Sequence, residues 1–260
     1  MRIPLRTKLI FASLSPETHI RAIIKTMVPN NYIKPDGFNA KHNFTVDGHE
    51  PFSEYSIKFD LMSFVGRSLY ARHPNPLNGY CNLGCGPRYI PDYCNADFFS
   101  FARVRKLLGR QAIRTDWELD LRHPIKCEDG VFHGVLMEHV LEHLSMRHAR
   151  NILKELRRII KPGGRLRISV PNLSKYIDFY NGSLPHPKFY NWAHNPAEAI
   201  WSMAYNFGHH SLYDFQLIRC LLENAGFENV IECSLMNSHD PMLRIDDPGR
   251  SWESLYVEAH

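Results

Sequence analysis

The pattern of hydrophobic and polar positions changes character near residue 77. Before it the signal is sparse. After Ser15, Ile20, Ile23, Ile24 and Met27 recur at helical spacing, with Pro16 in the first turn and Pro29 at the end, and this predicts one helix. Residues 29–53, rich in Asn, Gly, Pro and His, read as loop. Tyr55, Ile57, Phe59 and Leu61 alternate like a strand, whereas Leu61, Phe64, Val65 and Leu69 suit a helix, and both readings stay open. His73-Pro74-Asn75-Pro76 marks a boundary between an extension, residues 1–76, and a domain over residues 77–260.

From residue 77 apolar runs alternate regularly in type. Short strands are predicted over Gly79–Leu83, Tyr93–Asp97, Ile113–Leu121 and Gly134–Met137, with a helix over Phe101–Leu108. Ala149, Ile152, Leu153, Leu156 and Ile160 form the apolar stripe of a helix capped by Ser145 and stopped by Lys161-Pro162-Gly163-Gly164. A strand over Arg165–Val170 follows. Next comes a helix from a Ser211 cap to a Gly226 stop, then strands over Asn229–Cys233 and Leu255–Ala259. Strands alternating with helices at this spacing predict an α/β fold: an open, mostly parallel sheet with helices on both faces.

Composition narrows the class. The chain has 260 residues, 44% apolar and 22% charged, as in a globular protein with one large core. A formal charge of +4, dispersed along the chain, gives little indication of nucleic-acid binding. No apolar run approaches the roughly 20 residues that span a bilayer, and Leu9–Ala12 is too short for a signal peptide. The six cysteines lack the spacing of a metal knuckle and read as reduced thiols, so a cytoplasmic location is expected.

The chemistry concentrates at strand ends. Tyr80-Cys81-Asn82-Leu83-Gly84-Cys85-Gly86 runs from a strand into a turn whose two glycines allow close backbone approach to a ligand. Asp97, Asp120-Leu121 and Met137-Glu138-His139 end the following strands. In an open α/β sheet such ends converge on one crevice. Asp97 follows Gly86 more closely than the ~20-residue spacing of dinucleotide folds, so the first crossover helix is expected to be short or missing.

With these segments, and with His139-Val140-Leu141-Glu142-His143, Lys161-Pro162-Gly163-Gly164 and Ala225-Gly226-Phe227, residues 77–260 resemble a class I S-adenosylmethionine-dependent methyltransferase. They are most like the small bacterial members with a Leu-Asn-Leu-Gly-Cys-Gly opening. The resemblance implies a seven-stranded Rossmann-like sheet and S-adenosylmethionine as cofactor. It places Asn82, Leu83, Gly84, Cys85 and Gly86 along the methionine and ribose, with Asp97 on the ribose hydroxyls. Asp120 and Leu121 fall by the adenine, and Met137 and Glu138 by the sulfonium. His139 and His143 are the candidate bases for a hydroxyl acceptor.

The stretch 174–210 reads as an insertion over the acceptor site. It carries His209, His210 and Tyr205 toward substrate, and its many aromatics serve either to stack on a sugar or flat ring or to form a satellite core. The expected partner is a small-molecule, sugar-like acceptor, with nucleic acid as the runner-up. Three other readings use the same residues. His139-x-x-Glu142-His143 matches a zinc-hydrolase pattern, though it requires a helix through both histidines. A divalent ion on Glu142, His143 and His209 is the second. The third is a cofactor-binding scaffold without turnover.

Overall fold

In the computed structural model, residues 55–69, 74, 78–101, 105, 109, 111 and 113–260 are described. The helix expected after Ser15, the loop over 29–53, most of the 73–76 boundary and most of the helix over Phe101–Leu108 lie outside the described residues.

Seven strands form one sheet: β1 (Tyr80–Leu83), β2 (Cys94–Asp97), β3 (Trp117–Glu118), β4 (Phe132–Glu138), β5 (Ile160–Pro171), β6 (Ile231–Cys233) and β7 (Ser254–Ala259). Their order is β3-β2-β1-β4-β5-β7-β6, and only β7 runs antiparallel to its neighbours. This is the open, mostly parallel sheet that the alternation of elements predicts, with the seven strands and Rossmann-like layout that the resemblance implies. The chain leaves β1 toward β2 on one side and returns to β4 on the other, so the crevice beyond the carboxyl ends of β1 and β4 is the topological switch point. Residues 84–93 join β1 to β2 without a helix, as the short spacing to Asp97 requires.

The central strands are buried on both faces. Val135, Leu136 and Met137 of β4 are fully buried, and so are Ile168 and Val170 of β5. Helix α1 (Ile57–Leu69) resolves the ambiguous segment in favour of helix. Helix α2 (Met146–Ile159) buries the expected stripe Ala149, Ile152, Leu153 and Leu156 against the sheet. Ser145 precedes it in an extended conformation, but its hydroxyl pairs with His148 Nδ1 at 3.0 Å rather than with the helix backbone.

Three boundaries differ from the sequence reading. Between Phe132 and Gly134 the β4–β5 register shifts, and Lys161-Pro162-Gly163-Gly164 bulges within β5 instead of ending a helix ahead of it. The 113–121 strand contracts to two residues, because the sheet ladder there ends at Glu118. The helix after the 174–210 stretch spans Phe215–Asn224 and is capped by Asp214, whose Oδ1 accepts the Leu217 amide at 2.8 Å. Ser211 instead donates to the Leu144 carbonyl at 2.9 Å, and Tyr213 forms a β-bridge with Asn172, so the helix begins after it.

Within 174–210, α3 (Leu173–Tyr180), a 3-10 turn over Pro187–Trp192 and α4 (Pro196–Tyr205) build a separate core of Tyr176, Phe179, Phe189, Ala199 and Met203. Part of the aromatic content therefore forms a satellite core, while Tyr180, Tyr190, Trp201, Tyr205 and Phe207 remain exposed. Among the described residues no helix is long and apolar enough to cross a membrane.

Candidate functional site

A cavity of about 550 Å³ opens beyond the carboxyl ends of β1, β2, β3 and β4. Its floor is the glycine turn. The amides of Gly84 and Cys85 both donate to the Ala96 carbonyl, at 2.8 and 3.0 Å, which folds the turn back onto β2. Gly84 has φ +72°, and a Cβ there would lie 2.2 Å from Val140 Cγ2, so the strand end and the residue after β4 meet only because the side chain is absent. Asp97 stands opposite. Its carboxylate accepts the amides of Gly86 and Phe98, one on each oxygen, which aims it and leaves each oxygen a further lone pair.

The walls come from α1 and the 119–122 segment. Phe59 stacks on Phe98 at 4.0 Å between centroids, and Leu119, Leu121, Val140 and Leu144 complete the apolar lining. Arg122 is locked in place: it bonds Asp120 through Nε and Nη2 and Asp60 through Nη1, with Tyr55 and Phe59 rings 4.5 and 4.7 Å from its guanidinium carbon. Burial alone would raise the Asp120 pKa, but hydrogen bonds from Arg122 and Ser63 outweigh it and hold the carboxyl below its ordinary value.

At the other end stand His143, Gly208 and His210. The chain at 207–208 takes left-handed conformations, φ +64° at Phe207 and +74° at Gly208, and the amides of His210 and Ser211 then both donate to the Glu142 carbonyl. This clamp brings one ligand atom each from Glu142, His143 and His209 within 4.8 Å of one another. The His143 and His209 rings meet edge to face at 4.9 Å. Burial draws the His143 pKa below its ordinary value despite the nearby Glu142, so the imidazole stays neutral to lower pH. Beyond His209 lies a second cavity of about 300 Å³, walled by Tyr176, Trp192, Phe207 and Trp252 with Arg250 and Glu253.

Comparison with known families decides the class. A family described as a methyltransferase domain matches residues 60–232. The chain belongs to this family. Among curated proteins none matches. Three solved methyltransferases align at low identity. An O-methyltransferase family protein from Burkholderia thailandensis is 18% identical over 78% of this chain and 55% of its own, with a TM-score of 0.41. A SAM-dependent methyltransferase from Archaeoglobus fulgidus is 14% identical over 77% of this chain and 93% of its own, TM-score 0.43. Human N-acetylserotonin methyltransferase, solved in complex with SAM, is 14% identical over 70% of this chain and 46% of its own, TM-score 0.42. The chain thus spans about half the length of the first of these.

In this member of the methyltransferase-domain family the residues singled out from sequence fall into three groups. Leu83, Gly84, Asp97, Asp120, Leu121, His143 and His210 line the larger cavity. His209 lines the smaller one, and Tyr205, 72% exposed, lines neither. The remainder support the site from behind. Asn82 donates to the Arg88 carbonyl and to Asn95, tying down the turn. The Cys85 thiol is buried, and burial with nearby Asp97 pushes its pKa up to about 12, so it stays protonated. Gly86 supplies the amide that orients Asp97, and Met137 lies in the core. Glu138 is paired with Arg88 and accepts the Asp247 amide, while burial raises its pKa. His139, at φ +51°, has both ring nitrogens engaged, with Glu142 at 3.1 Å and Ser254 at 2.7 Å.

Sequence reasoning did not single out Tyr55, Phe59, Phe98, Val140 or Arg122 for the site. Of these, Phe98, Val140 and Arg122 carry a signal, each within two residues of an acid singled out above.

Proposed function

We propose that this chain transfers the methyl group of S-adenosylmethionine to a hydroxyl of a small acceptor that enters between His143 and His210. The observation that supports this reading is the shared cavity: the glycine turn and Asp97 at one end, two imidazoles at the other, in a volume suited to a nucleoside-sized ligand. The cavity fits the donor chemically. Asp97 is an acceptor-only group with a lone pair left on each oxygen, suited to a ribose diol, and Phe59, Phe98, Leu119 and Leu121 offer apolar surface to a purine. When bound, S-adenosylmethionine supplies a methyl carbon on a positively charged sulfur, and the electron pair of the broken carbon–sulfur bond stays on that sulfur.

The protein's share is alignment and exclusion of water. The acceptor oxygen forms its bond to the methyl carbon from the side opposite the sulfur and gives up its proton. His210, exposed at the cavity mouth beside Tyr55, takes that proton and passes it to solvent. His139, with both nitrogens occupied, orients Glu142 instead.

The test is calorimetric titration of S-adenosylhomocysteine into the wild type and into Asp97→Ala and Asp97→Asn. Hydrogen bonds to a charged group are worth ~1.5–3 kcal/mol, so affinity should fall at least about tenfold in Asp97→Ala, and less in Asp97→Asn. Unchanged affinity removes Asp97 from the ribose. A screen of alcohols and phenols for S-adenosylhomocysteine release then tests the acceptor, and turnover confined to amines would overturn the hydroxyl assignment.

A further inference from the structure

Three side chains beyond the glycine turn are arranged as ligands without a ligand. Glu142 is 1% exposed; its Oε1 accepts from His139, and its Oε2 is buried with no hydrogen-bond partner among the described residues. A carboxylate oxygen left bare in the interior costs the full desolvation of that group, so something is expected to face it.

His209 shows the same feature. Its Nδ1–H donates to the Met203 carbonyl at 2.6 Å, which fixes the tautomer and leaves the lone pair on Nε2. That Nε2 is also buried and unpartnered among the described residues. On His143, Nδ1 faces the Gly208 carbonyl at 3.4 Å, so Nε2 is its free nitrogen. Imidazoles held by a carbonyl on Nδ1, beside a carboxylate held by a histidine, are what orients metal ligands from behind.

We infer that Glu142, His143 and His209 form a binding site for a divalent first-row transition ion, at the partition between the two cavities. The position follows from the lining, since His143 borders the larger cavity and His209 the smaller. The ligand atoms lie within 4.8 Å of one another, and around a tetrahedral ion at ~2.0–2.2 Å they would stand roughly 3.3 Å apart, so binding draws them inward by side-chain rotation.

Two imidazole nitrogens and one carboxylate suit Zn²⁺ and related ions, and disfavour Mg²⁺, which takes oxygen ligands. Three protein ligands leave coordination positions open. Resting on the methyl-transfer reading, an open position is where the acceptor oxygen sits. A metal held there would lower the pKa of that hydroxyl, and the acceptor's body would extend toward Trp192 and Trp252.

The experiment uses the full chain, stripped with a chelator and titrated with Zn²⁺ by calorimetry, with Co²⁺ as a visible-absorption probe. One site per chain is expected that millimolar Mg²⁺ does not displace. It should weaken at least tenfold in His209→Ala and in His143→Asn, while S-adenosylhomocysteine affinity of His209→Ala stays within twofold of wild type. No stoichiometric Zn²⁺ uptake, or uptake equal in both variants and wild type, overturns the site. Both ligands are titrated on the same preparation. Zn²⁺ binding without S-adenosylhomocysteine binding sustains the ion site and defeats the methyl-transfer reading, and the reverse result defeats only the ion site.

Discussion

The two ends of the larger cavity are made of different materials. At the β1–β2 end the shaping is done by backbone: Gly84 and Cys85 amides on one carbonyl, the Gly86 amide on Asp97, and a contact with Val140 that only a missing Cβ allows. At the far end a backbone clamp on the Glu142 carbonyl is completed by side chains from distant segments, with Tyr55 against His210 and His143 against His209. The backbone end is anchored in the sheet, whose strands are among the most buried parts of the molecule. The side-chain end leans on the satellite core around Phe189, which shares no residue with the main core. The first region is rigid by construction. The second can be altered without disturbing the sheet, which is where acceptor specificity can diverge at least cost to the fold.

The largest expected effect tests that independence. Phe189 is fully buried and touches Tyr176, Phe179, Trp192 and Trp252. Phe189→Ala should destabilise the satellite core by about 3–5 kcal/mol, read as an early, separate transition in urea denaturation. S-adenosylhomocysteine affinity should stay near that of the wild type below that transition. If affinity falls in step with the early transition, the two ends form one cooperative unit and the contrast fails.

The same division explains what could be read from the sequence. Strand ends, the two-glycine turn and the acids after β2 and β3 are local signals, because a turn needing positive φ or an acid ending a strand leaves its mark within a few residues. The missing helix between β1 and β2 followed from counting eleven positions from Gly86 to Asp97. Helix α1 as a wall was not legible: its amphipathic stripe competes with a strand-like alternation, and the contact that settles it, Ser63 on Asp120, joins residues 57 apart. The Asp214 cap was not legible for a local reason, since Ser211 is an equally good capping residue until its hydroxyl is known to bond the Leu144 carbonyl. The aromatics of 174–210 divided between core and surface by tertiary packing, which the pattern alone could not foresee.

A smaller effect probes the backbone end directly. In Gly84→Ala the new Cβ meets Val140 Cγ2 at 2.2 Å, and the left-handed φ adds roughly 1–2 kcal/mol of strain. Val140 must turn or the floor must shift, and either change narrows the cavity. S-adenosylhomocysteine affinity should drop at least tenfold, with a stability loss below that of Phe189→Ala. Gly86→Ala is the sharpening control, because its φ of +51° carries strain but its Cβ meets nothing within 4 Å. Equal loss of affinity in both variants would mean that backbone strain, not the close approach to Val140, sets the shape of the floor.

The smallest effect concerns how α1 is fastened to the backbone end. Asp120 holds Ser63 of α1 and, through Arg122, Asp60. Its folded-state pKa is lowered because those hydrogen bonds outweigh burial, which acts in the opposite direction. A depressed folded pKa contributes stability at pH values above the unfolded carboxyl pKa of about 3.9, and that contribution is lost as pH falls through the folded value. Many acids titrate in the same range, so the readout is a difference. The melting-temperature gap between wild type and Asp120→Asn should be constant from pH 7 to about 5 and narrow as pH drops below about 4. Ser63→Ala should show a smaller gap with the same pH dependence, because it removes one of the bonds that depress the pKa. A gap that persists unchanged at low pH would mean that Asp120 holds α1 by shape alone, and that charge contributes nothing to fastening this wall.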